Sequence, residues 1–308
     1  MLPLFLSAQS AIQEGKELFE KQSYREAIPF FKSVVEESTD YAMARYYLGR
    51  IAFEQKEYGD AADFFEEATE AKGGQRAEYY TWLGDTYGTI AQDANVIRQG
   101  MLAPKMKTAW EKAIALDDKN INARMSLISF YMQAPGFMGG SMEKAKEMAR
   151  QIGAINPVQG HRSMGNILVQ ENKFPEAETE YIEMVRLEPR LIPVLGNFYL
   201  NRKAFDKAFA LFEGELKKKP DDPLTIYQLG KTSAISGQRL NEGEQWILKY
   251  LTYTPTQNEP SHAGANMRLG QIYEKKGRKT DAKTRYEAAL RLDAKMQEAK
   301  DGLSRVSK

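Results

Sequence analysis

The chain contains no cysteine, and only two of its 308 residues are histidine. Without a thiol it has no disulfide bond, no thiolate metal ligand and no cysteine nucleophile, and no lipid can be attached to an N-terminal cysteine. His161 and His262 each lack a second histidine or an acid at the spacing of a metal site. We therefore expect no bound metal.

The chain also lacks an excess of charge and a long apolar segment. Forty-three Lys and Arg residues face 42 Asp and Glu residues, which leaves a formal net charge of +1. Such a balance implies no long-range attraction to nucleic acid or to an anionic membrane surface. No run approaches the roughly 18 apolar residues that a membrane helix requires. We expect no nucleic-acid partner and no integral membrane segment.

Signatures of catalysis are missing as well. Residues 230–234, GKTSA, look like the end of a nucleotide-binding loop, but Thr225 stands where that loop requires its first glycine. There is no Gly-x-Ser-x-Gly elbow and no His-Glu-x-x-His helix. We predict that the protein is not an enzyme, that it has no catalytic residues and that it uses no cofactor.

The chain begins MLPLFLSAQS, a short apolar run followed by small residues. We interpret residues 1–8 as the remnant of a truncated secretory signal peptide, although the basic start of such a signal is missing. The alternative is that these residues begin the first helix. The first interpretation predicts an extracytoplasmic, periplasmic protein, and the second a cytoplasmic one.

An internal repeat dominates the rest of the sequence. A glycine is followed twelve residues later by an alanine and sixteen residues later by an aromatic residue, and the first two such glycines are 34 residues apart. The pattern occurs five times, at Gly15-Ala27-Phe31, Gly49-Ala61-Phe65, Gly165-Ala177-Tyr181, Gly196-Ala208-Phe212 and Gly270-Ala282-Tyr286.

Each repeat reads as two helices joined by a short turn. Apolar residues recur at helical spacing on both sides of the turn, for example in ARYYLGRIAFEQ and in DAADFFEEATEA. A glycine inside a helix costs about 1 kcal/mol relative to alanine. Its recurrence therefore indicates a close approach, which we expect to be made by a neighbouring backbone, with the aromatic residue wedged beside it.

This pattern resembles the tetratricopeptide repeat, a helix-turn-helix unit of 34 residues. The resemblance implies an all-α fold: a right-handed α-solenoid over residues 9–294, followed by a capping helix at 295–308. We count about eight repeats, at 8–41, 42–75, 76–120, 121–157, 158–190, 191–222, 223–260 and 261–294.

Three repeats depart from the pattern. The third carries about ten extra residues between Gly84 and Trp110, so both of its helices should be longer than their neighbours. The seventh has Gly243 where alanine is usual, and we expect its second helix to be packed more loosely.

The fourth repeat contains the segment QAPGFMGGS, which we interpret as an enlarged turn with Ser141 capping the next helix. Its apolar residues Phe137 and Met138 either seal the interface between repeats or form an exposed tip that contacts a partner or covers a ligand.

The resemblance also implies a concave wall formed by the first helix of each repeat. The residues one after and three before each packing glycine, with those one turn further, form the predicted groove: Tyr46, Arg50, Phe53, Thr81, Asp85, Met132, Arg162, Asn166, Gln170, Asn201, Tyr227 and Lys231. We predict a non-catalytic scaffold or assembly adaptor that binds a protein partner, as a peptide or a helix, in this groove. The alternative is a carrier of a small molecule or lipid, with Phe137 and Met138 as its lid.

Some members of the family hold a partner's C-terminal carboxylate with paired Lys and Asn side chains. Arg162 and Asn166 match that pattern in part, but the next repeat has Pro193 and Val194 where the second amide is needed. The sequence therefore argues against this mode of binding.

Overall fold

A computed structural model describes residues 8–308, which form seventeen α-helices and two 3-10 turns and contain no β-strand. The architecture is an all-helical α-solenoid. The helices are α1 (Ala8–Glu20), α2 (Tyr24–Lys32), α3 (Tyr41–Glu54), α4 (Tyr58–Glu70), α5 (Ala77–Gln92), α6 (Val96–Leu116), α7 (Ile121–Gln133), α8 (Met142–Ile155), α9 (Pro157–Gln170), α10 (Phe174–Leu187), α11 (Ile192–Asn201), α12 (Phe205–Lys218), α13 (Pro223–Ser236), α14 (Leu240–Tyr250), α15 (His262–Lys275), α16 (Lys279–Leu292) and α17 (Gln297–Val306). The 3-10 turns are Gly136–Met138 and Pro189–Leu191.

The chain divides into two compact units, Met1–Glu180 and Tyr181–Lys308, with the boundary inside α10. In the first unit the helices pair in sequence order, and α2, α4, α6 and α8 also contact the first helix of the following pair. In the second unit α12 and α14 do the same, and α16 contacts the final helix α17. These second helices are thus shared between their own pair and the next element, so buried residues of neighbouring pairs pack together.

The repeated glycine accommodates an aromatic ring. A Cβ atom at Gly49 would lie 2.7 Å from the nearest ring atom of Phe65, and Phe65 is fully buried. The same close contact joins four further pairs: Gly15 with Phe31, Gly84 with Trp110, Gly196 with Phe212 and Gly270 with Tyr286. Our expectation that a neighbouring backbone makes the approach was wrong at these positions, because the aromatic side chain itself covers the glycine.

The turns inside the pairs share a left-handed residue seven positions after the packing glycine. Lys56 has φ +64°, and the equivalent residue is Gln22, Asn172, Lys203 or Gly277 in other pairs. Around Lys56, the N–H of Glu57 donates to the carbonyl of Ala52, a bond that closes the end of α3. Four of these five turns therefore hold a non-glycine residue in a conformation that favours glycine.

The third pair is lengthened as the insertion predicts. Helix α5 has 16 residues and α6 has 21, against 14 and 13 in the preceding pair. Despite the ten extra residues, Trp110 still covers Gly84: a Cβ there would lie 2.5 Å from the indole nitrogen. The added residues precede Trp110 and lengthen both helices beyond the point where Gly84 and Trp110 meet, so this contact is kept.

The seventh pair contradicts the predicted loose packing of its second helix. Gly243 is buried, and a Cβ at this position would lie 2.1 Å from the hydroxyl of Ser233 on α13. The turn contains two left-handed residues, Gly237 and Arg239, so the register of α14 shifts by one residue. As a result Ile247 covers Gly230, the role that aromatic residues fill in other pairs.

A carboxylate links three elements of the second unit. Glu244 on α14 accepts hydrogen bonds from Lys276 at 2.5 Å, from Tyr273 at 3.1 Å and from Arg278 at 3.1 Å. Burial alone would raise the pKa of Glu244, but these hydrogen bonds outweigh it and lower the pKa below its usual value. Its negative charge is therefore stabilised by the fold.

The predicted signal remnant falls on residues 1–8, of which 1–7 lie outside the described residues, and Ala8 is the first residue of α1. None of the helices in residues 8–308 combines the length and the hydropathy required to cross a bilayer.

Candidate functional site

The predicted groove residues of the second repeat form a cluster of a cation and aromatic rings. The guanidinium of Arg50 lies 4.0 Å from the ring centroid of Trp82 and donates a 2.8 Å hydrogen bond to the hydroxyl of Tyr46. Phe53 packs edge-on against Trp82 with the ring centroids 5.3 Å apart. The cluster spans α3 and α5, so these side chains bridge the first helices of neighbouring pairs.

Three of the predicted groove residues are buried. Tyr46 donates a hydrogen bond to Glu78, and Thr81 accepts one at 3.0 Å from the side-chain amide of Asn120. Tyr227 is buried in the core of the second unit. Burial raises the pKa of Tyr46 and that of Tyr227. Little of these side chains is available to a partner, and they act mainly in packing.

Other predicted residues are exposed. Arg162, Asn166 and Gln170 lie at intervals of four residues on α9 and form an exposed row along that helix. Asn201, at the end of α11, is also exposed. Met132 on α7 is partly buried against the core of the first unit. Among the residues that the sequence predicted, the three on α9 thus form an exposed polar row on a single helix.

In the second unit, Lys231 on α13 donates a 2.7 Å hydrogen bond to the side-chain oxygen of Asn197 on α11. Both residues directly follow a packing glycine. Burial lowers the pKa of Lys231, and the nearby charge of Arg268 lowers it further. Asn197 was missed in the sequence, although the same offset from Gly196 identifies it.

A pocket of about 500 Å³ lies between the lengthened helices α5 and α6, the helix α7 and the turn that follows it. Among the predicted residues it contains Asp85 and Met138. Its walls also include Trp110, Phe130 and Ser126, which sequence reasoning did not assign to a site. The sequence contained one signal of this pocket, the insertion of about ten residues, because a helix pair that is longer than its neighbours leaves space beside its protruding ends.

Asp85 is partly buried in this pocket. One of its oxygens, Oδ1, accepts hydrogen bonds from the indole N–H of Trp110 at 2.8 Å and from the hydroxyl of Ser126 at 2.7 Å. Burial raises the pKa of Asp85, and the two hydrogen bonds counter only part of that rise. The carboxylate is thus held in a fixed orientation in a partly desolvated place.

The enlarged turn is fastened to the end of α7. The N–H of Ser141 donates to the carbonyl of Tyr131 at 2.8 Å, and the Ser141 hydroxyl caps α8 by accepting from the N–H of Lys144, as predicted. Met138 packs against the core of the first unit and lines the pocket, whereas the Phe137 side chain is 82% exposed. The two apolar residues point to different surroundings and do not form a joint lid, so the carrier alternative is not favoured.

The two histidines are held by ordinary polar contacts. Nδ1 of His161 lies 2.7 Å from a carboxylate oxygen of Glu180, and Nε2 of His262 lies 2.7 Å from the carbonyl oxygen of Tyr253. Within residues 8–308 no three His, Asp or Glu side chains are grouped so that they could hold a metal ion.

Comparison with known proteins agrees with this architecture. Models of the tetratricopeptide repeat family match residues 12–76 and residues 263–296, which lie in different units. Helix pairs of the same kind occupy the chain between the two matches. Over the matched residues the chain consists of tetratricopeptide repeats, and a fold built from such repeats is in general a non-catalytic scaffold for protein–protein interaction.

Two solved repeat proteins are similar to this chain. A tetratricopeptide repeat protein from Parabacteroides merdae ATCC 43184 is 16% identical, with a TM-score of 0.52, and the match covers 87% of this chain and 99% of that one. The C-terminal part of a repeat protein from Cytophaga hutchinsonii is 13% identical and covers 95% and 99%, with a TM-score of 0.45. Of these two likenesses, the first supports the fold alone, and the second is too low to support an argument.

The human protein O-mannosyl-transferase TMTC1 is 26% identical over 182 residues. The match covers 59% of this chain but spans only 19% of the length of that protein. The similarity concerns a minor part of the transferase.

Proposed function

We propose that the protein is a non-catalytic adaptor that binds an extended peptide segment of a partner protein along α9. The observation that carries this proposal is the exposed row of Arg162, Asn166 and Gln170. These residues lie on a first helix, the element that repeat solenoids of this kind use for their binding surfaces. Two amides and one guanidinium supply both donors and acceptors for a peptide backbone.

The spacing of the row fits an extended chain. Residues four apart on an α-helix are about 6 Å apart along its axis. Alternate residues of an extended peptide are about 6.6 Å apart and present their backbone groups to the same side. The three side chains of the row therefore meet the backbone groups of three alternate peptide residues with a mismatch of about 1 Å over the row, which long side chains absorb.

The test is a selection from a displayed library of random linear peptides, followed by titration of the enriched peptides. We compare the wild-type protein with the triple variant Arg162→Ala/Asn166→Ala/Gln170→Ala. Loss of three hydrogen-bonding side chains should weaken binding by at least about tenfold. The matched control is Lys144→Ala/Glu147→Ala/Arg150→Ala, three exposed residues on the second helix α8, and it should bind like the wild type.

Two results would contradict the proposal. One is a selection that enriches no peptide over the background of the display system. The other is a set of enriched peptides that bind the α9 variant as tightly as the wild-type protein.

A further inference from the structure

We propose that the Asp85 pocket binds an organic cation, an alkylammonium or alkylguanidinium group. Such a group is carried by the lysine or arginine side chain of a bound peptide and equally by a free small amine. The inference goes beyond peptide binding along α9, because it concerns a different site and stands on the geometry of that pocket alone.

The charge of the pocket is negative and unbalanced. Among the pocket-lining residues that the structure describes, Asp85 is the only charged one, and no lysine, arginine or histidine lines the cavity. Its Oδ1 receives two hydrogen bonds from neutral donors, whereas Oδ2 accepts none from the residues in the described part of the chain. A partly buried carboxylate without a cationic partner favours a ligand that supplies the missing positive charge.

The Asp85 carboxylate is preorganised by its two hydrogen-bond donors. The Trp110 ring covers Gly84, which fixes the position of its indole nitrogen beside Asp85. Ser126 holds the same carboxylate oxygen from α7. Because both donors are directed at Oδ1, the second oxygen is held in one orientation without loss of side-chain entropy on binding.

The walls of the pocket are mainly apolar, with a few neutral polar groups. Trp110, Phe130 and Met106 supply apolar surface for an alkyl stem, while Gln92 and Ser129 add neutral polar groups. The volume of about 500 Å³ lies within the range of small-molecule sites. The pocket therefore combines one negative charge with apolar walls, which suits a cation on a short aliphatic chain.

Backbone hydrogen bonds hold the lip of the pocket, where the N–H groups of Met138 and Gly140 donate to the carbonyl of Pro135 at 2.8 and 3.1 Å. A Cβ at Gly140 would lie 1.7 Å from the carbonyl oxygen of Ala134, and Gly139 has φ +103°. With the turn held in this way, Met138 and Pro135 line the pocket in a set position. The glycine-rich segment thus serves to shape one side of the pocket.

The experiment uses the full chain labelled with ¹⁵N and follows the indole N–H signal of Trp110. The probes are n-butylammonium, n-butylguanidinium, n-butanol as a neutral counterpart and butyrate as an anionic one. The two cations should shift the Trp110 signal in a saturable way and leave those of Trp82 and Trp246 in place. The alcohol and the acid should not reproduce this shift.

Asp85→Asn keeps the side-chain shape and an oxygen that can accept from Trp110 and Ser126, so it removes mainly the charge. It should weaken binding of n-butylammonium by about 10- to 100-fold. Asp63→Asn, which changes an exposed carboxylate on α4, is the matched control and should leave binding unchanged. The comparison of cation with alcohol on the wild-type protein requires no variant and is decisive even if Asp85→Asn folds poorly.

The proposal is overturned if no cation gives a saturable shift of Trp110, if n-butanol binds as tightly as n-butylammonium, or if a folded Asp85→Asn protein binds the cations as the wild type does. The source of the cation is read from one further probe, the peptide acetyl-Gly-Lys-Gly-amide. Tighter binding of this peptide than of n-butylammonium assigns the pocket to a partner's side chain, and weaker binding assigns it to a free amine. The outcome is independent of the variants on α9.

Discussion

Replacing Gly49 with alanine is the most direct perturbation of the contact that repeats through this protein. Gly49 lies inside α3, and a Cβ at its position would be 2.7, 2.8 and 2.9 Å from three ring atoms of Phe65. The ring is fully buried and cannot turn away into solvent. Either the ring or the two helices must move, and both changes disturb a close-packed core.

Two opposing free-energy terms set the size of the effect. Alanine stabilises a helix by up to about 1 kcal/mol relative to glycine, whereas one extra methyl group in a packed core costs about 1–3 kcal/mol. We expect Gly49→Ala to lower the free energy of unfolding by up to about 2 kcal/mol. In Gly59→Ala, on α4, the new Cβ meets nothing within 4 Å. That variant should therefore be more stable than the wild type by up to about 1 kcal/mol.

Amide hydrogen exchange measures this difference locally. Each pair in a solenoid contacts mainly its neighbours, so destabilisation of one pair need not unfold the whole chain. Exchange in residues 41–70 should accelerate in Gly49→Ala by about tenfold for each 1.4 kcal/mol lost. In Gly59→Ala the same amides should exchange at the wild-type rate or more slowly.

A double variant checks the cause. Phe65→Leu alone leaves a cavity and should be destabilising, but it also removes the ring that the new methyl group meets. Gly49→Ala/Phe65→Leu should consequently lose less stability than the sum of the single changes. Additive losses, or a Gly49→Ala protein as stable as Gly59→Ala, would refute the explanation of the repeated glycine.

Three further predictions test other contacts. Lys56→Gly should stabilise the protein against urea by up to about 1 kcal/mol, because φ is +64° at this residue, and Gly277→Ala, at φ +74°, should destabilise it by about the same amount. Glu244→Gln should lower the free energy of unfolding by about 1–3 kcal/mol at neutral pH. Because the pKa of Glu244 is lowered in the folded protein, this loss should shrink as the pH falls from about 4.5 through that lowered pKa, which thermal melts at several pH values measure. Gly140→Ala should raise amide exchange in residues 134–141, since its Cβ would overlap a carbonyl oxygen, whereas Gly136→Ala, with open space around its Cβ, should not.

Each of these three has an outcome that would contradict it. If Lys56→Gly is only as stable as the wild type, the left-handed backbone at Lys56 does not store the strain that we infer. If the stability lost in Glu244→Gln is the same at neutral and at acid pH, the ionised carboxylate of Glu244 does not contribute to the stability of the fold. Normal exchange around residue 140 in Gly140→Ala would mean that the turn tolerates a side chain there.

The periodic part of the architecture was predictable from sequence because the contacts behind it are local. Gly49 and Phe65 are only 16 residues apart, and the helices that carry them are joined by a three-residue turn. The same holds for Gly15 with Phe31 and for Gly270 with Tyr286. A short connection leaves few arrangements of two amphipathic helices, so regular spacing predicted the helix pairs along the chain.

The groove was predicted less accurately because counting from a glycine gives the side of a helix but not what lies against that side. Tyr46, Thr81 and Tyr227 occupy the expected positions, yet neighbouring helices bury them. Arg162, Asn166 and Gln170 occupy comparable positions and are exposed. Whether such a side chain is exposed depends on residues of the adjacent helix pairs. The spacing of residues within one pair contains no information about those neighbours.

The sequence alone determined the class of the fold and the place where one helix pair is lengthened, because these depend on contacts between residues close in the chain. Only the tertiary structure decided that side chains, in five pairs an aromatic ring, cover the packing glycines, and that Gly243 packs tightly against Ser233. It also placed Asp85, Trp110 and Ser126 around one pocket. These three residues lie on three different helices and are separated by up to 41 residues in the sequence. They come together because of the way successive helix pairs stack, which the sequence pattern of a single repeat does not describe.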